Sequence, residues 1–374
     1  MNSIKKIYRL GIKELWSIVR EPMMLFLIIY CFTFSIYMAA TAAPDSLNKA
    51  PIAIVDEDDS PLSRQIADAF YPPMFTTPTK ISLNEIDPGM DADLYTFVLN
   101  IPPNFQRNVL NGKVPEIQLN VDATRMTQAF TGNGYIQQIV TGEVNTFVQR
   151  HQSTSSAGVD LVIRSSFNPN LDNSWFSSVM EIINNVTMLS IILTGAALMR
   201  EREYGTIEHL LAMPVTPLEI MFSKVWSMGL IVLIATGCSL IFIVRGALNV
   251  PIAGSVPLFL LGATLHLFAT TSMGIFMATI ARTTAQFSML LILVLLPMLM
   301  LSGGNTPRES MPEMVQIIML AAPTTHFIEL GQAILYRGAG IDVVWQPFLA
   351  LAIIGFSFFL IALFRFRKTI TQMA

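Results

Sequence analysis

The chain has 374 residues, of which 52% are hydrophobic and only 13% charged, with a formal net charge of −3. A soluble domain carries roughly 25% charged residues, so this composition excludes an ordinary soluble protein, and the near-neutral balance gives no ground for a nucleic-acid partner. The two cysteines, Cys31 and Cys238, both lie inside apolar runs, which leaves no disulfide framework.

Residues 1–21 predict an amphipathic helix lying in a membrane interface. Ile4, Ile7, Leu15 and Ile18 fall near one face, with Lys5, Lys6, Arg9 and Lys13 largely elsewhere. Pro22 marks the bend into the first apolar run. Runs long enough to cross a bilayer, roughly 20 residues each, lie at about 22–42, 176–198, 221–244, 256–280, 284–302 and 346–364. Ala40-Thr41-Ala42 resembles a signal-peptide cleavage site, but the run before it exceeds the usual length of roughly 7–15 residues, so a retained first span is expected. Lys5, Lys6, Arg9, Lys13 and Arg20 precede the first run, and Arg365, Arg367 and Lys368 follow the last. Six spans put both ends on one side, and the basic flanks place that side in the cytoplasm. The fold expected is therefore an α-helical polytopic membrane protein with both termini cytoplasmic. A mixed α/β extracytoplasmic domain, residues 43–174, separates the first span (22–42) from a five-span core (175–374).

Within the insert, Ala50–Asp56, Leu94–Ile101 and Glu116–Asp122 read as strands, each short, rich in β-branched or aromatic residues or alternating, and ended by turn residues. Ser60-Pro61 is a helix cap followed by proline at the first helical position. A longer helical pattern runs from Gln128 to about Gln149. The acidic cluster Asp56-Glu57-Asp58-Asp59 lacks the glycine turn and distal glutamate of a calcium loop, so it reads as a solvated strand-to-helix turn. No metal grouping or nucleophile–base arrangement stands out, and no catalytic residue, cofactor site or metal site is assigned.

The segment after the second run is charged: Arg200 to Pro217 reads REREYGTIEHLLAMPVTP. Residues 200–213 suit a short surface helix. Pro214 interrupts it, and Thr216-Pro217-Leu218-Glu219 is a capping box that starts a new helix feeding the third span. Force on the first helix would be delivered to the second; an ordinary solvated loop is the plainer alternative. These residues resemble the cytoplasmic signature of ABC-2 type exporter permeases. Ala322 to Gly338, APTTHFIELGQAILYRG, is similar to the segment those permeases carry before their last span. The interfacial start, large insert and six-span order are similar too, so the resemblance covers essentially the whole chain, and it is nearest to bacterial drug-exporter permeases with a large periplasmic domain.

The resemblance implies a coupling helix docked into a separate ATPase subunit, with Glu201, Glu203, Gly205, Thr206 and Glu208 as its members. Tyr204 stands where many relatives have a basic residue, which alters the docking contacts expected. The sequence has no G-x-x-x-x-G-K-[ST] phosphate loop, so ATP and Mg belong to the partner. Polar groups within spans are pathway candidates by default: Glu181, Asn184 and Asn185 in the second, His266 in the fourth. Each has a structural alternative, water access for Glu181 and hydrogen-bonded packing for His266. Arg245, at the outer end of the third span, reads as a residue snorkelling to the interface.

After Pro297, a second capping box at Thr306-Pro307-Arg308-Glu309 opens residues 303–340. There Met311–Ala322 and His326–Tyr336 are too short to cross and suit re-entrant helices. The resemblance implies that this region closes the external mouth of the pathway, with Pro323, His326 and Phe327 as gate residues. Taken together, the expectation is the transmembrane subunit of an ATP-driven exporter in a bacterial inner membrane, not itself an enzyme. It would move an apolar or amphipathic cargo and pair with a second permease chain, identical or not. The large external domain is compatible with a periplasmic adaptor and an outer-membrane channel. The rival reading is a non-transporting scaffold or sensor with a ligand-binding external domain; ion-driven transport is disfavoured by the scarcity of carboxylates within the spans.

Overall fold

A computed structural model describes residues 3–42, 47, 49–122, 126–151, 173–205, 214–304 and 308–373. The chain forms two compact units, Met1–Ala43 with Ser165–Ala374, and Pro44–Arg164.

The first unit is helical. An N-terminal helix, Ser3–Val19, precedes, among the described residues, six helices long and apolar enough to cross a membrane: Pro22–Thr41, Ser174–Glu203, Pro217–Ala247, Val256–Ile280, Thr284–Leu301 and Ile341–Lys368. Local chemistry sets their starts. Pro22 and Pro217 occupy first helical positions, where the missing N–H costs nothing. Thr216 accepts from the Glu219 backbone N–H at 3.3 Å while Glu219 accepts from the Thr216 N–H at 2.7 Å, so the capping box is formed. Ser255 and Thr283 cap the fourth and fifth spans in the same way.

The second and fourth spans are the most buried and the fifth the least. A Cβ on Gly274 would lie 2.7 Å from the Ile191 carbonyl oxygen, so the backbones of the second and fourth spans touch there. Small residues permit this approach, and hydroxyls then bond across it, as Ser190 does to Thr270 at 2.6 Å. The first and third spans each widen into a π-helical turn, at Cys31–Ser35 and Leu240–Ala247, and Arg245 is exposed on the latter.

Two findings differ from the sequence reading. The second span does not stop before the charged run. Its helix continues through Glu203, and Gly205, at φ +66°, ends it in the left-handed region. Residues 200–203 are thus the last turn of a span rather than the start of a separate helix, and residues 206–213 lie outside the described residues. Between the fifth and sixth spans, helices Glu313–Met319 and Pro323–Leu335 meet at 88°. The second begins at Pro323 rather than His326, because proline fits the first helical position. The cap Thr306 lies outside the described residues.

Among the described residues the inserted unit is a four-stranded sheet with helices. The strands are β1 (Ile52–Asp56), β2 (Thr79–Lys80), β3 (Phe97–Ile101) and β4 (Gln118–Val121), in the order β2-β1-β3-β4. β1 is parallel to β2 and β3, with Ile52 opposite Phe97, and β4 runs antiparallel to β3, with Phe97 opposite Val121. Phe70, Phe75 and Phe97 pack edge to face beneath it. The long helix Met126–His151 comes close enough that a Cβ on Gly132 would lie 2.2 Å from the Phe97 ring. At the carboxyl end of β1 the acidic cluster is structural. Asp56 accepts from the backbone N–H groups of Asp58 and Asp59 and from the Ser63 hydroxyl, and Asp58 accepts from the Gln106 N–H at 3.0 Å. Asp56 thereby fixes the turn before the helix Pro61–Asp68, while Asp58 satisfies an orphan N–H at the start of the helix Phe105–Leu110.

Candidate functional site

The charges that end the second span are each tied to a different part of the helical unit. Arg200 pairs with Glu21, at the junction between the N-terminal helix and the first span. Glu201 lies 2.8 Å from the Lys224 ammonium of the third span. Arg202 donates to the Ala278 and Ala281 carbonyls at 2.9 and 2.7 Å, satisfying oxygens left over at the end of the fourth span. Glu203 accepts from the Thr284 backbone N–H at 3.3 Å and from its hydroxyl, at the start of the fifth. One helical turn thereby fastens the second span to four neighbours just before the segment 206–213.

Lys224 is the centre of this joint. Its side chain is 2% exposed and is shared by two carboxylates, Glu201 and, at 3.1 Å, Glu14 of the N-terminal helix. Lys13 approaches Glu201 at 3.8 Å, so two ammonium groups balance two carboxylates. A buried charge survives only with such partners. Burial pushes the Glu14 carboxyl up, but attraction to and hydrogen bonding from Lys224, with Lys13 adding, outweigh it and hold Glu14 below the usual carboxylate range.

The N-terminal helix is fixed along its length to the third span. The Ser3 hydroxyl bonds Glu219, Lys6 reaches the Pro214 carbonyl and lies 3.9 Å from Glu219, and the Trp226 indole N–H donates to the Ile7 carbonyl at 3.3 Å. Tyr8 stacks on Trp226 with the rings 6.0 Å apart, and Gly11 makes the notch that receives the indole.

Of the residues read as docking into an ATPase, Glu201 and Glu203 are therefore engaged within the chain, and Glu201 is buried. Gly205 ends the helix; Thr206 and Glu208 lie outside the described residues. Tyr204, beside them, is 77% exposed and presents a free aromatic face. Lys224, Glu14, Trp226 and Gly11 escaped the sequence reading. An ionisable residue inside an apolar run is the signal that singles out Lys224; nothing local marks the other three.

The pathway candidates fall into two places. Glu181 accepts from the Ser35 hydroxyl at 2.5 Å, and Asn185 donates to the Cys31 carbonyl at 2.8 Å. Both bonds meet the π-helical turn of the first span, where Cys31 opens the turn and Ser35 closes it. Asn184 is half-buried on the second span. His266 is fully buried, 2.8 Å from the Thr187 hydroxyl, and stacked 4.3 Å from the Phe327 ring. Thr187 gives its one proton to the Ile183 carbonyl, so the His266 Nε2–H is the donor between them. Of the gate candidates, Phe327 is buried between His266 and Phe259, Pro323 starts its helix, and His326 bonds the Leu320 carbonyl at 2.9 Å across the 88° bend.

Residues 20–364 match the ABC-2 family transporter protein family. The chain belongs to the ABC-2 transporter family. It is 62% identical over 374 residues, the whole of both chains, to the inner membrane transport permease YhhJ of Escherichia coli K12. It is 28% identical over 347 residues to the probable multidrug ABC transporter permease YbhR of the same organism, covering 91% of this chain and 93% of that one. A shorter likeness, 26% over 162 residues, extends to ABC transporter G family member 20 of Dictyostelium discoideum. This ABC-2 chain is thus a multi-pass membrane component of a transporter, and the joint around Lys224 is built into its helical unit.

Proposed function

We propose that the chain is the transmembrane subunit of an ATP-driven exporter in a bacterial inner membrane, moving an apolar or amphipathic compound such as a drug or lipid outward. A separate ATPase subunit supplies the energy, holding ATP and Mg, and a second permease chain completes the pathway. Both termini and the segment 200–213 then face the cytoplasm, and the inserted unit faces the periplasm, where an adaptor leading to an outer-membrane channel has room to bind. The observation that carries this reading is the last turn of the second span. Four consecutive charges fasten it to the junction before the first span and to the third, fourth and fifth, so a push on the segment that follows moves most of the bundle together. The names of the relatives point the same way. The rival sensor reading draws no support from the ends of β1 and β3, where the Ser63 hydroxyl and the Gln106 N–H are already bonded to Asp56 and Asp58.

Docking contacts in this reading come from Tyr204 and Glu208 rather than from Glu201 and Glu203. The test is affinity capture of the full chain from its native cell in mild detergent. A phosphate-loop ATPase should co-purify, and Tyr204→Ala with Glu208→Lys should cut its recovery by about tenfold, the loss of roughly 1.4 kcal/mol of contact, with unchanged thermal stability. Recovery of no ATPase from cells that express one from the same operon would sink the exporter reading.

A further inference from the structure

Between the start of the second span, the end of the fifth, the helix Pro323–Leu335 and the start of the sixth lies a cavity of about 610 Å³. Its volume is that of a site for a small amphiphile. Phe176, Ile328, Val344 and Pro347 give it apolar walls. The polar groups that line it are unusual for a helical bundle. Arg308 and Arg337 both contribute, and among the described residues neither guanidinium has an ion-pair partner. Thr325, 4% exposed, also lines it, and its hydroxyl is buried with no hydrogen-bond partner among the described residues. A buried hydroxyl left unbonded is costly, and from this wall it is placed to bond a ligand in the cavity. Among the described residues Glu329 is the one carboxylate in the wall, and with Arg308 and Arg337 it leaves one net positive charge there. The wall is braced as well, since the Tyr336 hydroxyl shares its one proton between the Trp175 and Phe176 carbonyls at 3.1 and 3.0 Å.

We propose that this cavity binds an amphiphile with a single anionic head group, the arginines and Thr325 taking the head and the apolar walls the tail. Planar guanidinium groups suit a carboxylate or phosphodiester, with charge-assisted bonds that a neutral head cannot make. The proposal deepens the export reading by naming a substrate class, and it rests on that reading only for where the ligand comes from.

The test needs no ATPase, so its failure and that of the export reading are separate. The full chain, purified in a neutral maltoside detergent, is titrated with lauric acid and followed by native mass spectrometry. One lauric acid per chain should bind saturably. Dodecanol and acetate, which lack the head charge or the tail, should bind at least about tenfold more weakly. Arg308→Gln with Arg337→Gln should weaken lauric acid about tenfold and Thr325→Val a few-fold. If the double variant does not fold, exposed Arg337→Gln and Thr325→Val carry the comparison. Added phosphatidylglycerol distinguishes the sources. Competition with lauric acid would make the natural ligand a membrane lipid, and its failure to compete would make it a free amphiphile; either outcome supports the site. Equal binding of dodecanol, or native affinity in the arginine and threonine variants, would overturn it.

Discussion

Lys224 shows how one residue can hold a joint that its surroundings should forbid. An ammonium group inside an apolar helix is tolerated because Glu14 and Glu201 both reach it. Its removal leaves two buried carboxylates without the ammonium that both share, with half-exposed Lys13 3.8 Å from Glu201. Lys224→Met is therefore expected to cost about 3–5 kcal/mol, the penalty for breaking a buried pair by losing one partner. Adding Glu14→Gln and Glu201→Gln should recover most of that loss, because neutral amides need no counter-charge. Thermal unfolding in detergent of the single and triple variants checks both; a Lys224→Met chain as stable as the native one would mean that the cluster is not a charge-balanced joint. The same arithmetic explains why charge reversal at Glu201 is a poor probe of docking, since it would strike the fold first.

Between elements, the N-terminal helix is held by shape as much as by charge. Gly11 has no room for a Cβ, which would fall 2.1 Å from the Trp226 ring. Gly11→Ala should therefore lift the helix off the third span, at about 1–3 kcal/mol for overpacking a tight contact. Because the clash is with one side chain, Gly11→Ala and Trp226→Leu together should cost less than the sum of the two, by roughly 0.5 kcal/mol or more. Strict additivity in the unfolding data would show that the two do not touch. Much at this scale could be read from the sequence. The six apolar runs, the Thr216 capping box and three of the four strands all follow from local composition, which acts over a few residues. What could not be read depends on distance along the chain. The charges of residues 200–203 are plain, but their partners at Glu21, Lys224, Ala278 and Thr284 are not, so an internally bonded turn looks like a solvated surface helix. The two-residue β2 is too short to show alternation. The π-helical turns have no local signal, and with them the partners of Glu181 and Asn185 go unseen.

For the whole molecule, the division into two units has an energetic consequence. The inserted unit has its own core, with Phe75 and Phe97 fully buried, and a sheet closed over by the helix at Gly132. Its helix starts are satisfied from within, Ser63 N–H by Ser60, Leu62 N–H by Gln106 and Gln106 N–H by Asp58. A unit of about 120 residues with apolar packing on both faces of its sheet is large enough to fold alone. Residues 44–164 made as a separate protein should then unfold in a single cooperative step, followed by circular dichroism in denaturant. Phe97→Ala should lower its stability by about 3–5 kcal/mol, because the ring fills space between the sheet and the long helix. Gly134→Ala, on the same helix with nothing within 4 Å of a new Cβ, should be neutral or stabilising by up to about 1 kcal/mol. A gradual, non-cooperative transition would instead mean that the unit draws its stability from the spans, and that the two parts fold as one.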